Sequence, residues 1–477
     1  MLNMTKTKTE IEDYEQVKSD FSDYTKFEGK KPRRQFEREA FINDIEYTPN
    51  FDYPKLDSLI DDESIADKKS KIYEAIMELE AAKNYSEISP EELELYAGCH
   101  EVRLKRIMLV EAARDLNSTS SMAGSEINRQ TFIELNESIY GTFDKSCYLG
   151  LLNTESNNLS GFNPKSEKAI AIKNELNGFY EKIDIDNEYE KPLLCDEDLK
   201  KLHDYVESRY ENILDVVPDT SDDVYYDVDE CAEIMNKALE AGGLAQYGWI
   251  AIENSSKTAP STNQAKTSIF LPSNTRRNSS ELRRLIIHEQ EVHARRAQNA
   301  KSYNVKPLQF GTANYADIEE GLGVIMECAV SGNLENASFD RARNRYLAAG
   351  LALGVDSEPR DARETYEVLW RMISIQNSKN GEISDNDANA AKNAAYTIIE
   401  NAFRGTPFWM KGVIYTKLKV YYEGLVKNAK FFEQNIDNLD NTFNNILIGK
   451  YDHTNGEELD LIRTIIDSKK ERIDDNA

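Results

Sequence analysis

Cysteine, basic charge, long apolar runs and histidine are all scarce in this sequence, and each scarcity narrows what the chain can do. The five cysteines (Cys99, Cys147, Cys195, Cys231, Cys328) are odd in number, widely scattered and without CxxC spacing, which points to reduced thiols in the cytoplasm. Lys and Arg total 58 against 85 Asp and Glu, and 58 − 85 = −27. DNA and RNA are therefore not expected as partners, because affinity for them comes from neutralising phosphates. No stretch approaches the roughly eighteen apolar residues of a membrane span. The opening MLNMTKTKTE has no apolar signal region, so neither membrane insertion nor secretion is expected. The length of 477 residues allows two or three domains.

Of only five histidines, two fall within six residues in HEQEVH, as His288 and His293 with Glu289 between them. The surrounding SSELRRLIIHEQEVHARRAQNA (279–300) has Leu282, Leu285, Ile286 and Val292 at helical spacing, with Ser279 or Ser280 as a candidate cap. Metal-binding imidazoles from one helix must point the same way. The zinc-protease pattern HExxH puts its pair about 40° apart around an ideal helix, whereas this i, i+5 pair lies about 140° apart. A π-type bulge winds in one extra residue and realigns i with i+5, so a helix distortion is predicted between Glu289 and His293. A solvated polar face is the plainer reading of the same residues.

A catalytic zinc takes three protein ligands and leaves a position for water. His100, His203 and His453 share no motif with the pair. The better source is YADIEEGLGVIMECAV (315–330), an apolar helical pattern with Glu319 and Glu320 in its first turn, where negative charge is favoured in any case. Gly321 and Gly323 each cost about 1 kcal/mol inside a helix relative to alanine. They ask for a reason such as close packing against another backbone.

At these residues the chain resembles the microtubule-associated tyrosine carboxypeptidases and their bacterial relatives, a family with HExxxH, then an arginine and an asparagine, then QEGLA about thirty residues on. The matching positions are His288, Glu289, His293, Arg296, Asn299 and EEGLG at 319–323. NAFRGTPF (401–408), GVIYTK (412–417), YYEG (421–424), YTPNFDYPKLD (47–57), IYG (139–141) and GWIAI (248–252) extend the resemblance over roughly 45–450. Three positions depart from the pattern: Leu418 stands where the family usually has aspartate, Glu319 where it has glutamine, and HEQEVH lacks small residues between its histidines. The resemblance implies His288, His293 and Glu320 as Zn2+ ligands and Glu289 as catalytic base. It also implies cleavage of a C-terminal aromatic residue, as in tubulin detyrosination.

The fold class this implies is mainly α with a small β-sheet (α+β), a gluzincin-like zinc metallopeptidase core with a helical N-terminal scaffold. The expected organisation is a mobile or loosely docked arm over 1–40, a helical scaffold over 41–215 and a catalytic region over 216–477, the last two forming one compact unit. Three helical patterns run from 64 to 142, with Pro90 in a first turn and Ser125 as a cap. NTESNNLSGFNPKSE (153–167) reads as a turn-rich connector and His203 as a surface residue. GWIAIENS (248–255) and KTSIFLP (266–272) read as strands with a loop between them. Residues 276–306 carry eight basic and three acidic side chains, 8 − 3 = +5, most of them read as a solvated face.

The expected function is a zinc-dependent carboxypeptidase-like hydrolase acting on a peptide or protein C-terminus. Glu289 is the base, Arg404 and Lys417 are candidates for the terminal carboxylate, and Arg296 is a further substrate contact. A tyrosine (Tyr415, Tyr421 or Tyr422) serves the oxyanion, with Tyr415 foremost. Three alternatives stand beside this: a zinc endopeptidase or aminopeptidase on the same site, a metal-stabilised binding protein without turnover, and a helical scaffold without metal. Imidazole and carboxylate also suit manganese and cobalt.

Overall fold

Apolar residues recur with helical period through most of the chain, and helices form over these stretches. The computed structural model describes residues 21–25, 31–49, 53, 56, 63–82, 89–118, 122–183, 193–378 and 380–474. Within these the protein is mainly helical, with a single three-stranded sheet. The three N-terminal patterns become helices Glu63–Ala82, Pro90–Ser118 and Met122–Tyr140. Pro90 opens the second, where its missing N–H costs nothing. Ser125 lies inside the third helix and is not its cap.

Two expectations about the N-terminal half are corrected. The stretch 1–40 is not an arm throughout, because Phe21–Tyr24 and Lys31–Asn43 are helices and Phe21 and Phe41 are buried. Arg34 pairs with Glu400 at 2.6 Å. Residues 1–20 lie outside the described residues. The supposed connector at 153–167 is largely the second half of helix Lys145–Gly161, capped by Asp144. Its asparagines and serines occupy the outer face while Leu151, Leu152 and Leu159 face the core, so turn-prone composition yielded to burial.

The main core runs from Phe41 through Leu152, Leu202, Ile286, Ile325 and Leu347 to Ile446. It includes residues on both sides of position 215. Phe21, Leu109, Phe132, Val413 and Tyr415 belong to a second cluster. Strands β1 (Ile250–Glu253) and β3 (Ser268–Leu271) pair in parallel. The expected loop between them contains β2 (Ser261–Asn263), antiparallel to β3. The order β1-β3-β2 leaves β2 at an edge, against the segment that carries the histidines.

A close helix–helix contact positions the segment that carries Glu319 and Glu320. Helix Ala316–Ser331 packs on helix Val420–Asn435 with Gly321 against Gly424. A Cβ on Gly321 would lie 2.0 Å from the Gly424 carbonyl carbon, and one on Gly424 1.8 Å from the Asp317 oxygen. Only glycine permits that approach, which accounts for the helix-weakening residue at 321.

Candidate metal centre

The histidine-bearing helix starts at Asn278, whose side chain accepts from the Glu281 N–H while Glu281 accepts from the Asn278 N–H. This reciprocal cap replaces the expected Ser279 or Ser280, whose hydroxyls go to Pro218 O at 2.6 Å and Asp222 at 2.9 Å. From Ile287 to Ala294 the helix is π-wound, then continues as α-helix Arg295–Tyr303. The predicted distortion is thus present and covers the whole motif. Its consequence is direct: His288 and His293 come together on one side, edge to face, with ring centroids 4.9 Å apart.

Glu320 joins them. His288, His293 and Glu320 each offer one ligand atom, and these atoms all lie within 4.8 Å of one another. His288 and His293 are further constrained from behind. His288 Nδ1 is 2.7 Å from Glu327 Oε1, and His293 Nδ1 is 2.8 Å from Glu319 Oε1. A carboxylate only accepts, so each Nδ1 donates, and in the neutral ring the lone pair falls on Nε2. Burial pulls the His288 pKa down, but the hydrogen bond and charge of Glu327, with Glu289 and Glu320, raise it to about 9. Such a site attracts positive charge, and a cation and a proton would compete for it.

Gly323 explains itself here. A Cβ on it would lie 2.4 Å from His288 Cε1, so the helix surface is hollowed to accept the imidazole. Glu327, two turns beyond Glu320 on the same helix, also accepts from the Ser338 hydroxyl. Two imidazoles and a carboxylate, the imidazoles oriented by second carboxylates, form a donor set that fits zinc.

Glu289 is buried beside this group, and Thr262 of β2 donates its hydroxyl to Glu289 Oε2 at 2.7 Å. Tyr421 stands nearby. The Glu320 charge raises its phenol pKa, burial adds to this, and Arg345 and Lys417 act in the opposite sense. The Arg345 guanidinium lies 4.5 Å from the Tyr421 ring centroid.

Several expected residues lie elsewhere. Arg296 is fully buried, and its guanidinium is spent on Glu319 and on the carbonyls of Ile446, Gly449 and Tyr451. It is a structural cation and not a substrate contact. Arg404 donates to Asn401 Oδ1 at 2.5 Å and faces Tyr53, and these contacts do not bring it to the histidines. Tyr415 packs in the second core, 4.4 Å from Phe21 by ring centroid, and its hydroxyl bonds Tyr140 at 2.8 Å. Tyr422 stacks on Tyr346 at 5.0 Å. Of the expected cations Lys417 acts on Tyr421, and of the three tyrosines Tyr421 is the one beside Glu320.

The other histidines stay apart. His100 is buried, its pKa lowered by burial to about 4. His203 is tied to Ala329 O at 2.7 Å and is not simply a surface group, and His453 is buried against Asn428 at 2.9 Å. The basic excess around the motif is partly internal, since Arg283 pairs with Glu207 at 2.5 Å and Arg295 with Glu291 at 3.0 Å.

Known families bear on this geometry at one point. Residues 196–376 match the family model for the microtubule-associated tyrosine carboxypeptidase. The matched stretch holds the sheet, both histidines, Glu289, Glu320, Glu327 and Arg345, and it ends before Lys417 and Tyr421. No curated protein and no solved structure matches the chain. Sequence reasoning missed Glu327, Thr262 and Arg345. Glu327 had a signal, being seven residues from Glu320 and so on the same helical face. Thr262 sat in a stretch read as loop and had none.

Proposed function

We propose that the chain is a zinc-dependent metallopeptidase with a gluzincin-like centre, removing the C-terminal residue of a peptide or protein. The observation that carries this is the convergence of His288, His293 and Glu320, with the Glu289 carboxylate beside them. The family match supplies the carboxypeptidase class. Zinc held there would lower the pKa of water to about 7 and polarise the scissile carbonyl.

The chain's own residues do the rest. Glu289, fixed through Oε2 by Thr262, accepts the proton of the attacking water on Oε1 and returns it to the leaving amine. Tyr421 keeps its proton at neutral pH and donates a hydrogen bond to the developing oxyanion. Lys417 and Arg345, the cations acting on Tyr421, bind the terminal carboxylate, with Arg345 taking the part expected of Arg404 and Arg296. As an edge strand, β2 would offer main-chain hydrogen bonds to an extended peptide. A C-terminal aromatic residue is the first substrate to try.

Metal analysis of the purified protein comes first, followed by paired peptides that differ only in a free or amidated C-terminus. Zinc near one equivalent is expected, with cleavage of the free acid alone. Glu289→Gln should keep the metal and lose at least about a hundredfold in kcat. Equal cleavage of the amide would refute the exopeptidase reading, and a zinc-loaded wild type without turnover on any peptide would leave a binding protein.

A further inference from the structure

The loop after helix Leu439–Ile446 lies some seventy residues beyond the family-matched stretch, yet it closes on the back of the candidate metal centre. The carbonyls of Ile446, Gly449 and Tyr451 accept from Arg296 at 2.8–3.0 Å. Lys450 is held at both backbone ends, its N–H on Leu308 O at 2.7 Å and its carbonyl accepting from the Thr312 N–H at 3.0 Å. Its ammonium, almost fully buried, lies 2.8 Å from Glu319 Oε1. That same oxygen lies 2.8 Å from His293 Nδ1, and Arg296 holds Oε2.

A buried carboxylate is costly unless paired, and here two cations pair it. The Lys450 ammonium sits on Oε1 and the Arg296 guanidinium on Oε2. Both Glu319 oxygens thus face donors, so Glu319 accepts from His293 Nδ1, and Nε2 is the ring nitrogen left for the centre. An uncharged glutamine at 319 could still accept the His293 proton. It would, however, leave the Lys450 ammonium buried without a counter-charge.

Resting on the metal-site reading above, we propose that Lys450 is a positioning residue of the metal centre. It acts through Glu319 to hold His293 in its ligating orientation, so that the loop 446–453 completes the site. Lys450 and Glu319 are then coupled through Oε1, while Arg296 keeps its own hold on Oε2.

The test measures zinc affinity of the metal-free full chain by chelator competition, with the melting temperature of the metal-free protein recorded alongside, for wild type, Lys450→Met, Glu319→Gln and the double variant. Lys450→Met should weaken zinc binding about 10–100-fold. The double variant should return to within about threefold of wild type, because both charges leave together. If Lys450→Met does not fold, a double variant that folds and binds zinc like wild type carries the same conclusion. The proposal is overturned if Lys450→Met binds zinc within twofold of wild type, if the loss is the same in both backgrounds, or if the double variant also fails to fold. A wild type that binds no zinc overturns the metal-site reading as well, so the two failures are distinct.

Discussion

Gly323→Ala is the sharpest probe of the centre because it adds one methyl group to one atom's neighbourhood. The new Cβ would stand 2.4 Å from His288 Cε1 and 2.7 Å from both ring nitrogens, where ordinary contact begins at 3.4 Å. The ring must therefore retreat by 3.4 − 2.4 = 1.0 Å. It has little room, since Glu327 holds Nδ1 at 2.7 Å. Overpacking of this kind costs about 1–3 kcal/mol, and if the strain falls on the imidazole it appears as a 5- to 150-fold loss of zinc affinity, about tenfold per 1.4 kcal/mol. Chelator competition on the metal-free protein reads that loss. Gly321→Ala is the control, because its Cβ meets the Gly424 backbone at 2.0 Å and should lower the melting temperature with or without zinc. A Gly323→Ala protein that binds zinc as tightly as wild type would refute the claim that Gly323 makes room for a ligating His288 ring.

Two further predictions concern buried polar groups. Arg296→Met removes a cation with no exposure and leaves Glu319 and three carbonyls short of donors. Denaturant unfolding should show a loss of about 3–5 kcal/mol, and a loss below about 1 kcal/mol would mean that the loop 446–453 holds without it. Thr262→Val deletes the hydroxyl that fixes Glu289. A hydrogen bond to a charged group is worth about 1.5–3 kcal/mol, so kcat should fall roughly 10- to 150-fold with KM little changed, and an unaltered kcat would remove β2 from the mechanism.

What the sequence determined by itself was what short-range periodicity and spacing encode. The helices were legible, including the one opened by Pro90, because apolar residues recur at their period. So was the π-winding at HEQEVH, because two imidazoles five residues apart share a side only when the helix takes in an extra residue. The candidate trio of His288, His293 and Glu320 came from spacing joined to a family resemblance. Asn-rich 153–167 misled because propensity ignores which face is buried, and β2 was missed because three polar edge residues have no signal before a partner strand exists. Only the tertiary structure decided that Arg296 is buried while Tyr421 stands by Glu320 with Arg345 over its ring, that Gly323 makes room for an imidazole and not a backbone, and that Lys450 closes on Glu319 from a segment 131 residues away. Charge and shape complementarity between distant segments depend on where the chain brings them, and that is fixed by packing of the whole core rather than by any local pattern.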